Sequence, residues 1–312
     1  MFHNSVKVTF YQILFQLKNQ SAHYQHVRLL LSFQYLRNII ETWILPHLTV
    51  GSRGFDPTVP LFEIVEAISY RLKTGCQWRE LPTKEFFSDT ILSWNTVYYH
   101  FNKWSKAGCW TKIWVNILKE NLKHLDLSSI ELDGSHTPAK NGGDAVGYQG
   151  RKAANTTNSL FLSDNQGVMM AMSTPQEGKH HDLYQIQELF NEICDLLKQA
   201  GLDLNGLFLN ADPGFDSENF RQACQAEGIF PNVKANPRNS SKIKDEPYQS
   251  STHIFDEQLY KDRSVIEHSN AWIDGFKALL VRFEFSVINW VALHFIAFSV
   301  IFLRKISKKI KV

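Results

Sequence analysis

The chain predicts an α/β protein, a five-stranded mixed sheet flanked by helices and preceded by a small helical unit. From about residue 129 onward, short runs of Ile, Leu and Val alternate with amphipathic segments. The region before it carries helical spacing alone. With 44% hydrophobic residues in 312, the chain can bury a full core.

Residues 1–40 are rich in Gln, His, Tyr and Leu, and Val27, Leu30, Leu31, Leu36, Ile39 and Ile40 have loosely helical spacing. No chemistry is visible there, and the stretch is set aside as an extension of unknown role. Residues 50–60 hold two Gly and two Pro and form a loop that opens a new unit. Leu61 to Lys73 is amphipathic and ends at Gly75, residues 76–82 make a turn, and Ser88 to Lys106 is a second helical run before Gly108. In that run Trp94, Tyr98, Phe101 and Trp104 form one stripe, while Asn95, His100, Asn102 and Lys103 lie elsewhere on the surface. A helix that packs its aromatic stripe can present amides and Lys103 to a major groove, as the second helix of a helix-turn-helix does. The alternative is a helical unit that only packs on the rest of the protein. Residues 41–118 thus form a helical unit, helix-turn-helix-like in order, for which a DNA-binding domain and a merely packing unit both stay open from the spacing.

After a helix from Trp110 to Leu125 the pattern changes to strands at Ser129–Asp133, Ser159–Ser163 and Val168–Ser173, with Asp164–Gly167 turning between the last two. Asp182 to Ala200 is an amphipathic helix, with Asp182 as N-cap and Gly201 as stop. Leu207–Asn210 is a fourth strand, Ser217–Glu227 a helix, Ile229–Lys234 a fifth strand, and a further helix follows. Three strands, helix, strand, helix, strand and helix is the order of the RNase H-like fold, expected over residues 119–305, with a basic tail at 306–312.

In that order the first and fourth strands lie side by side. Asp133 and Asp212 follow those strands, and Glu267 stands in the helix after the fifth strand. Carboxylate oxygens are the hard ligands that Mg²⁺ or Mn²⁺ prefer, and two such ions activate a nucleophile and stabilise the leaving oxygen in phosphodiester cleavage. The chemistry points to nucleic acid.

The net charge of +2 does not by itself suggest DNA, but it is uneven. Residues 1–118 carry 12 Lys+Arg against 7 Asp+Glu, residues 119–303 carry 16 against 24, and residues 304–312 carry 5 against none. An acidic centre between basic flanks suits a metal-binding carboxylate cluster whose surroundings attract phosphates, although ordinary surface variation accounts for it equally well. Cys76, Cys109, Cys194 and Cys224 lack zinc spacing and fit reduced thiols of a cytosolic protein. Met1 to Phe10 lacks the pattern of a secretory signal. Phe285 to Leu303 is nineteen residues without a formal charge, long enough to cross a membrane, yet Asn289 and His294 favour a buried core helix instead.

At these residues the chain resembles the bacterial insertion-sequence transposases of the DDE type, in the fifth family of insertion sequences, over about residues 41–305. The resemblance rests on Thr74-Gly-Cys-Gln-Trp-Arg-Glu-Leu-Pro82, Trp94-Asn-Thr-Val-Tyr98, Asp133-Gly-Ser-His136, Gly142-Gly-Asp-Ala-Val-Gly-Tyr148, Gly178-Lys-His-His-Asp182 and Asn210-Ala-Asp-Pro-Gly-Phe215. The third-acid signature is Tyr, two residues, Arg, three residues, Glu, six residues, Lys, and Tyr260, Arg263 and Glu267 fit it. At the lysine position stands Asp274, and the nearest basic residue is Lys277, about one turn farther and roughly 80° around a continuous helix from Glu267.

The resemblance implies a transposase that binds terminal inverted repeats, cuts the ends and joins the 3′-hydroxyl to target DNA, as at least a homodimer on double-stranded DNA. Asp133, Asp212 and Glu267 would hold two Mg²⁺ or Mn²⁺ ions. Arg263, one turn before Glu267, would contact the scissile phosphate with Tyr260 beside it, and Arg151, Lys152, Lys277 and Lys103 would meet DNA elsewhere. The rival expectations are a nuclease without strand transfer and an inactive repressor descended from a transposase. Such a protein would be cytoplasmic, at the bacterial nucleoid, and not in a membrane.

Overall fold

Apolar residues at helical spacing make α1 (Leu61–Thr74), which buries Ile64, Val65, Ala67, Ile68 and Leu72. It stops where Gly75 takes φ +70°, a left-handed C-cap whose N–H bonds back to the Arg71 carbonyl. The computed structural model describes residues 37–48, 58–87, 90–236 and 255–310. Nearly all of the extension expected at 1–40, most of the loop at 50–60 and the end of the basic tail lie outside them.

The second helical run begins later than expected. α2 (Trp94–Lys106) starts at Ser93, whose hydroxyl accepts the Thr96 N–H, and α3 (Cys109–Glu120) follows across Ala107 and Gly108. The path from α1 to α2 is longer and contains one-turn helices at Trp78–Glu80 and Thr83–Glu85, so the tight helix-to-helix turn lies between α2 and α3.

Among the described residues the sheet has seven strands where five were expected: β1 (Ile130–Pro138), β2 (Gly147–Gln149), β3 (Ala154–Asp164), β4 (Met169–Met172), β5 (Gln176–Glu177), β6 (Phe208–Ala211) and β7 (Phe230–Val233). The order is β2-β3-β1-β6-β7, with β4 and β5 also on β3. β2 and β5 are short and polar, and so carry no apolar alternation to reveal them. β1 and β3 also run past their apolar centres, pairing antiparallel as far as Pro138 with Thr156. That extension buries Thr156, Thr157 and Asn158, polar residues that a hydrophobic pattern passes over. β6 lies parallel to β1, and β7 parallel to β6.

α4 (Ile186–Gln199) begins behind Gln185 in a left-handed conformation and not at Asp182. Asp182 instead accepts a hydrogen bond from Asn158 Nδ2 at 2.8 Å. α5 (Glu218–Ala226) starts on Ser217 as its N-cap, and α6 (Val265–Asp274) carries Glu267 in its first turn. Sheet order, parallel centre and flanking helices make an RNase H-like fold.

The apolar C-terminal segment is α7 (Val287–Ile310). Val287–Ser307 is long and apolar enough to cross a membrane, but 72% of its most apolar window is buried inside the fold. Within the segment read as a buried core helix, Trp290, Leu293, Phe295, Ile296 and Phe298 are buried, whereas Phe285 and Ile288 are 62% and 50% exposed. Those two stand at the entry to the helix, before it passes under its neighbours. α7 touches both halves of the molecule: Trp114 of α3 meets Phe298 and Phe302 at ring distances of 5.7 and 5.9 Å, and Phe161 of β3 meets His294 at 5.6 Å. Trp114 also donates to the Met170 carbonyl of β4 at 2.7 Å. One hydrophobic core therefore runs through the helical unit, α7 and the sheet.

Candidate active site

Parallel pairing of β1 with β6 sets Leu132 opposite Ala211, so Asp133, within β1, and Asp212, just past the end of β6, stand at neighbouring positions on adjacent strands. Asp133 accepts the N–H of Gly134 at 2.9 Å, and Asp212 accepts that of Gly214 at 2.7 Å, which fixes both carboxylates close to their own backbone. Burial pushes the Asp133 carboxyl up to about 6; the Gly134 N–H opposes this, Asp212 and Asp182 push it further, and Arg263 draws it back. These groups therefore lie within electrostatic reach of one another.

Asp182 is a member of this group that the sequence assigned to capping. A Cβ at Gly134 would collide with Asp182 Oδ1, so the absence of a side chain at residue 134 is what lets this acid approach β1. His136 Nε2 stands 3.9 Å from the same oxygen, and burial keeps its ring pKa below the usual value. His180 stacks on Tyr184, and His181 Nδ1 accepts the Leu183 N–H, so both shape the loop before α4.

α6 crosses β1 with Asn270, whose Nδ2 stands 3.4 Å from Asp133 Oδ2. Asn270 is a second residue the sequence reading missed, and its position one turn after Glu267 was the available signal. Glu267 itself faces outward, its side chain 63% exposed and 3.8 Å from Arg263 Nη2. Among the described residues no group of three or more His, Cys, Asp or Glu is arranged to hold a metal ion. The structure thus brings Asp133 and Asp212 within electrostatic reach of one another, while the Glu267 carboxylate is largely exposed beside Arg263. The two aspartates still fit a hard divalent cation: their oxygens are the right donors, and the mutual repulsion at Asp133 is what such a cation relieves.

Tyr260 ends a one-turn helix, Glu257–Tyr260, and lies under the Arg263 guanidinium at 5.9 Å from ring centre to Cζ. Its hydroxyl pKa is raised, first by burial, with Arg263 opposing and the nearby Asp212 adding. Lys277 is not on the Glu267 helix, because α6 ends at Asp274 and a separate turn, Lys277–Leu280, begins after Gly275. The rotation of 80° expected for a continuous helix therefore does not apply. Arg151 and Lys152 are exposed between β2 and β3, and Lys152 Nζ bonds the His136 carbonyl at 2.7 Å. Lys103 is half-buried on α2, in the helical unit.

Under the acids is a buried polar row. Glu131, Asn210 and Asn232 sit side by side on β1, β6 and β7. Burial raises the Glu131 carboxyl to about 7 despite hydrogen bonds from Ser129 and Asn210. Elsewhere, a cleft of about 610 Å³ opens between the helical unit and residues 283–285, walled by Trp78, Trp94, Tyr98, Phe283 and Phe285. None of the three candidate acids lines it. Its floor is closed by buried Arg71, which pairs with Glu284 at 2.8 Å.

Residues 129–302, more than half of the chain, match a family described as "DDE superfamily endonuclease". Residues 38–114 match one described as "Putative transposase of IS4/5 family". No curated protein sequence matches the chain. Among solved structures, the "Mos1 transposase paired-end complex with left transposon end" matches at 11% identity, covering 79% of this chain and 78% of that one, with a TM-score of 0.27. The "Crystal structure of the Mos1 Strand Transfer Complex" matches at 11% identity, covering 80% and 78%, with a TM-score of 0.25. Likeness at this level sets no residue correspondence.

Proposed function

Because the chain belongs to the DDE superfamily of endonucleases, we propose that it is a DNA transposase that binds the terminal inverted repeats of its insertion sequence, cleaves the ends and joins the 3′-hydroxyl to target DNA. The observation that supports this reading is the placement of Asp133 and Asp212 directly after paired residues of adjacent parallel strands, within electrostatic reach of one another. Asp133 and Asp212 would hold divalent cations, Mg²⁺ or Mn²⁺, with Glu267 as a further ligand. Two such ions, when bound, lower the cost of forming the attacking oxygen and of releasing the leaving one.

The remaining roles belong to the chain's own residues. Arg263, over the Tyr260 ring and within electrostatic reach of Asp133, would take the scissile phosphate in two hydrogen bonds through its planar fork. Lys152, Arg151 and Lys277 would follow the DNA backbone past the site. Residues 41–118, with Lys103 on α2, would bind the repeat, and residues 119–305 would carry out the chemistry. Joining two ends calls for a homodimer on DNA, acting in the cytoplasm at the nucleoid.

A second reading has one specific observation in its favour. The exposure of the Glu267 carboxylate, with no group of three acids gathered for a metal among the described residues, suits a transposase-derived protein that occupies repeats without cutting them. Incubation of the protein with a labelled terminal-repeat duplex, a target plasmid and Mg²⁺ separates the possibilities. Cleavage with strand transfer, lost in Asp133→Ala, Asp212→Ala and Glu267→Ala while repeat binding persists, supports the transposase. Cleavage without joining indicates a nuclease, and binding without cleavage indicates the repressor.

A further inference from the structure

Glu131, Asn210 and Asn232 are in register on three adjacent parallel strands, and all three are buried, at 0%, 0% and 2% exposure. Their side chains bond in a row across the sheet. Ser129 Oγ and Asn210 Nδ2 donate to Glu131 Oε1 at 2.7 and 3.1 Å, and Asn232 Nδ2 donates to Asn210 Oδ1 at 2.7 Å. The row then reaches off the sheet. Asn210 Nδ2 also donates to the Leu259 carbonyl at 3.0 Å, Asn232 Nδ2 to the Asp256 carbonyl at 2.9 Å, and Asn232 Oδ1 accepts the Asp256 N–H at 2.8 Å.

Burying polar side chains in a sheet face gains little over apolar ones of similar size, because each must first lose its water. What the row adds is location. Its three outward bonds hold the backbone of Asp256 and Leu259, and Asp256 in turn caps the next turn by accepting the N–H groups of Gln258 and Leu259. Tyr260 follows directly, with Arg263 and Glu267 about one and two turns farther along the same path. Residues two apart on a strand share a face, so Glu131 lies on the face of Asp133, and β6, which Asp212 directly follows, carries Asn210 two residues before that acid. The row and the aspartates are thus carried by the same two strands.

We propose that Glu131, Asn210 and Asn232 are positioning residues, a cross-strand polar row that fixes where Tyr260, Arg263 and Glu267 stand relative to Asp133 and Asp212. It rests on the assignment of those residues to the reacting site. Displacement of a reacting group by about 1 Å costs about 10²-fold in rate, so the row would set the rate of cleavage without touching DNA.

The test compares the full-length protein with Asn232→Ala, and with Asn232→Ser should the alanine variant fail to fold. Hydrogen exchange followed by mass spectrometry should show the amides of residues 256–267 exchanging about tenfold faster, the effect of losing a buried hydrogen bond, while those of β3 stay as they were. End cleavage should lose about 10²-fold in kcat with duplex affinity changed by less than about twofold. Glu131→Gln, which still accepts from Ser129 and Asn210, should keep its rate, and Glu131→Ala should not. Unchanged exchange at 256–267, or faster exchange with undiminished kcat, would overturn the proposal. If the wild-type protein cuts no repeat duplex, the assignment of the reacting site fails, and the exchange pattern alone then decides whether the row holds this segment.

Discussion

His294 has the most sharply defined energetic consequence in the structure. It lies within α7 at 2% exposure, its Nδ1 against the Trp290 carbonyl at 3.0 Å and its ring among Trp290, Phe161 and Phe298. Burial holds its pKa down to about 4 from 6.5, with the Trp290 carbonyl opposing and Arg282 adding. The folded protein therefore keeps the imidazole neutral while the unfolded chain protonates it. Between pH 6.5 and about 4 the unfolded state binds more protons, so stability present above pH 6.5 is lost as pH falls, by ~3 kcal/mol in all at 1.36 kcal/mol per unit. Glu131 works in the opposite sense. Its carboxyl is raised from 4.5 to about 7, so stability present below pH 4.5 is lost as pH rises through 7, again by ~3 kcal/mol. The wild-type profile mixes the two, and variants separate them. Urea unfolding followed by tryptophan fluorescence from pH 4 to 7.5 should show His294→Phe gaining relative stability towards low pH, and Glu131→Gln gaining it towards high pH. Profiles parallel to the wild type in both variants would refute the reasoning.

Phe295→Ala should lower the thermal midpoint of the purified protein, through a loss of ~3–5 kcal/mol for an aromatic ring buried to 2% exposure; a midpoint within error of wild type would place Phe295 outside the core. Gly134→Ala sets a methyl carbon against Asp182 and should remove cleavage in a protein whose circular dichroism is unaltered. Full activity there would show that Asp182 need not approach β1. Lys152→Ala should weaken binding to all duplexes alike and reduce the slope of log affinity against log salt by about 1. An unchanged slope would remove Lys152 from the DNA path.

Much of this architecture was legible in the sequence because its signals are apolar. The centres of β1, β3, β4, β6 and β7 and the helices α1, α4 and α5 all announced themselves through period and punctuation. What escaped was polar. β2 and β5 have no hydrophobic face, and the outer halves of β1 and β3 pair through Thr156, Thr157 and Asn158, which a sequence cannot distinguish from a loop. The same limit applied at the site. Asp133 and Asp212 followed from strand order, but Asp182 was assigned to a helix cap, since its approach to β1 depends on the missing side chain at Gly134 rather than on any pattern around residue 182. The break between α6 and Lys277 was hidden for a similar reason, because one Gly inside an otherwise helical stretch does not reveal whether the helix ends there.

The reach of α7 into both halves of the molecule also bears on how the protein comes to exist on the ribosome. Residues are made in order, and domains generally fold as their chain emerges. Here Trp114 waits for Phe298 and Phe302, and Phe161 waits for His294, so neither the helical unit nor the sheet can complete its interior until the last fifth of the chain has been translated. A message cut short, or a frame lost near its end, would therefore leave both the helical unit and the sheet with an open interior.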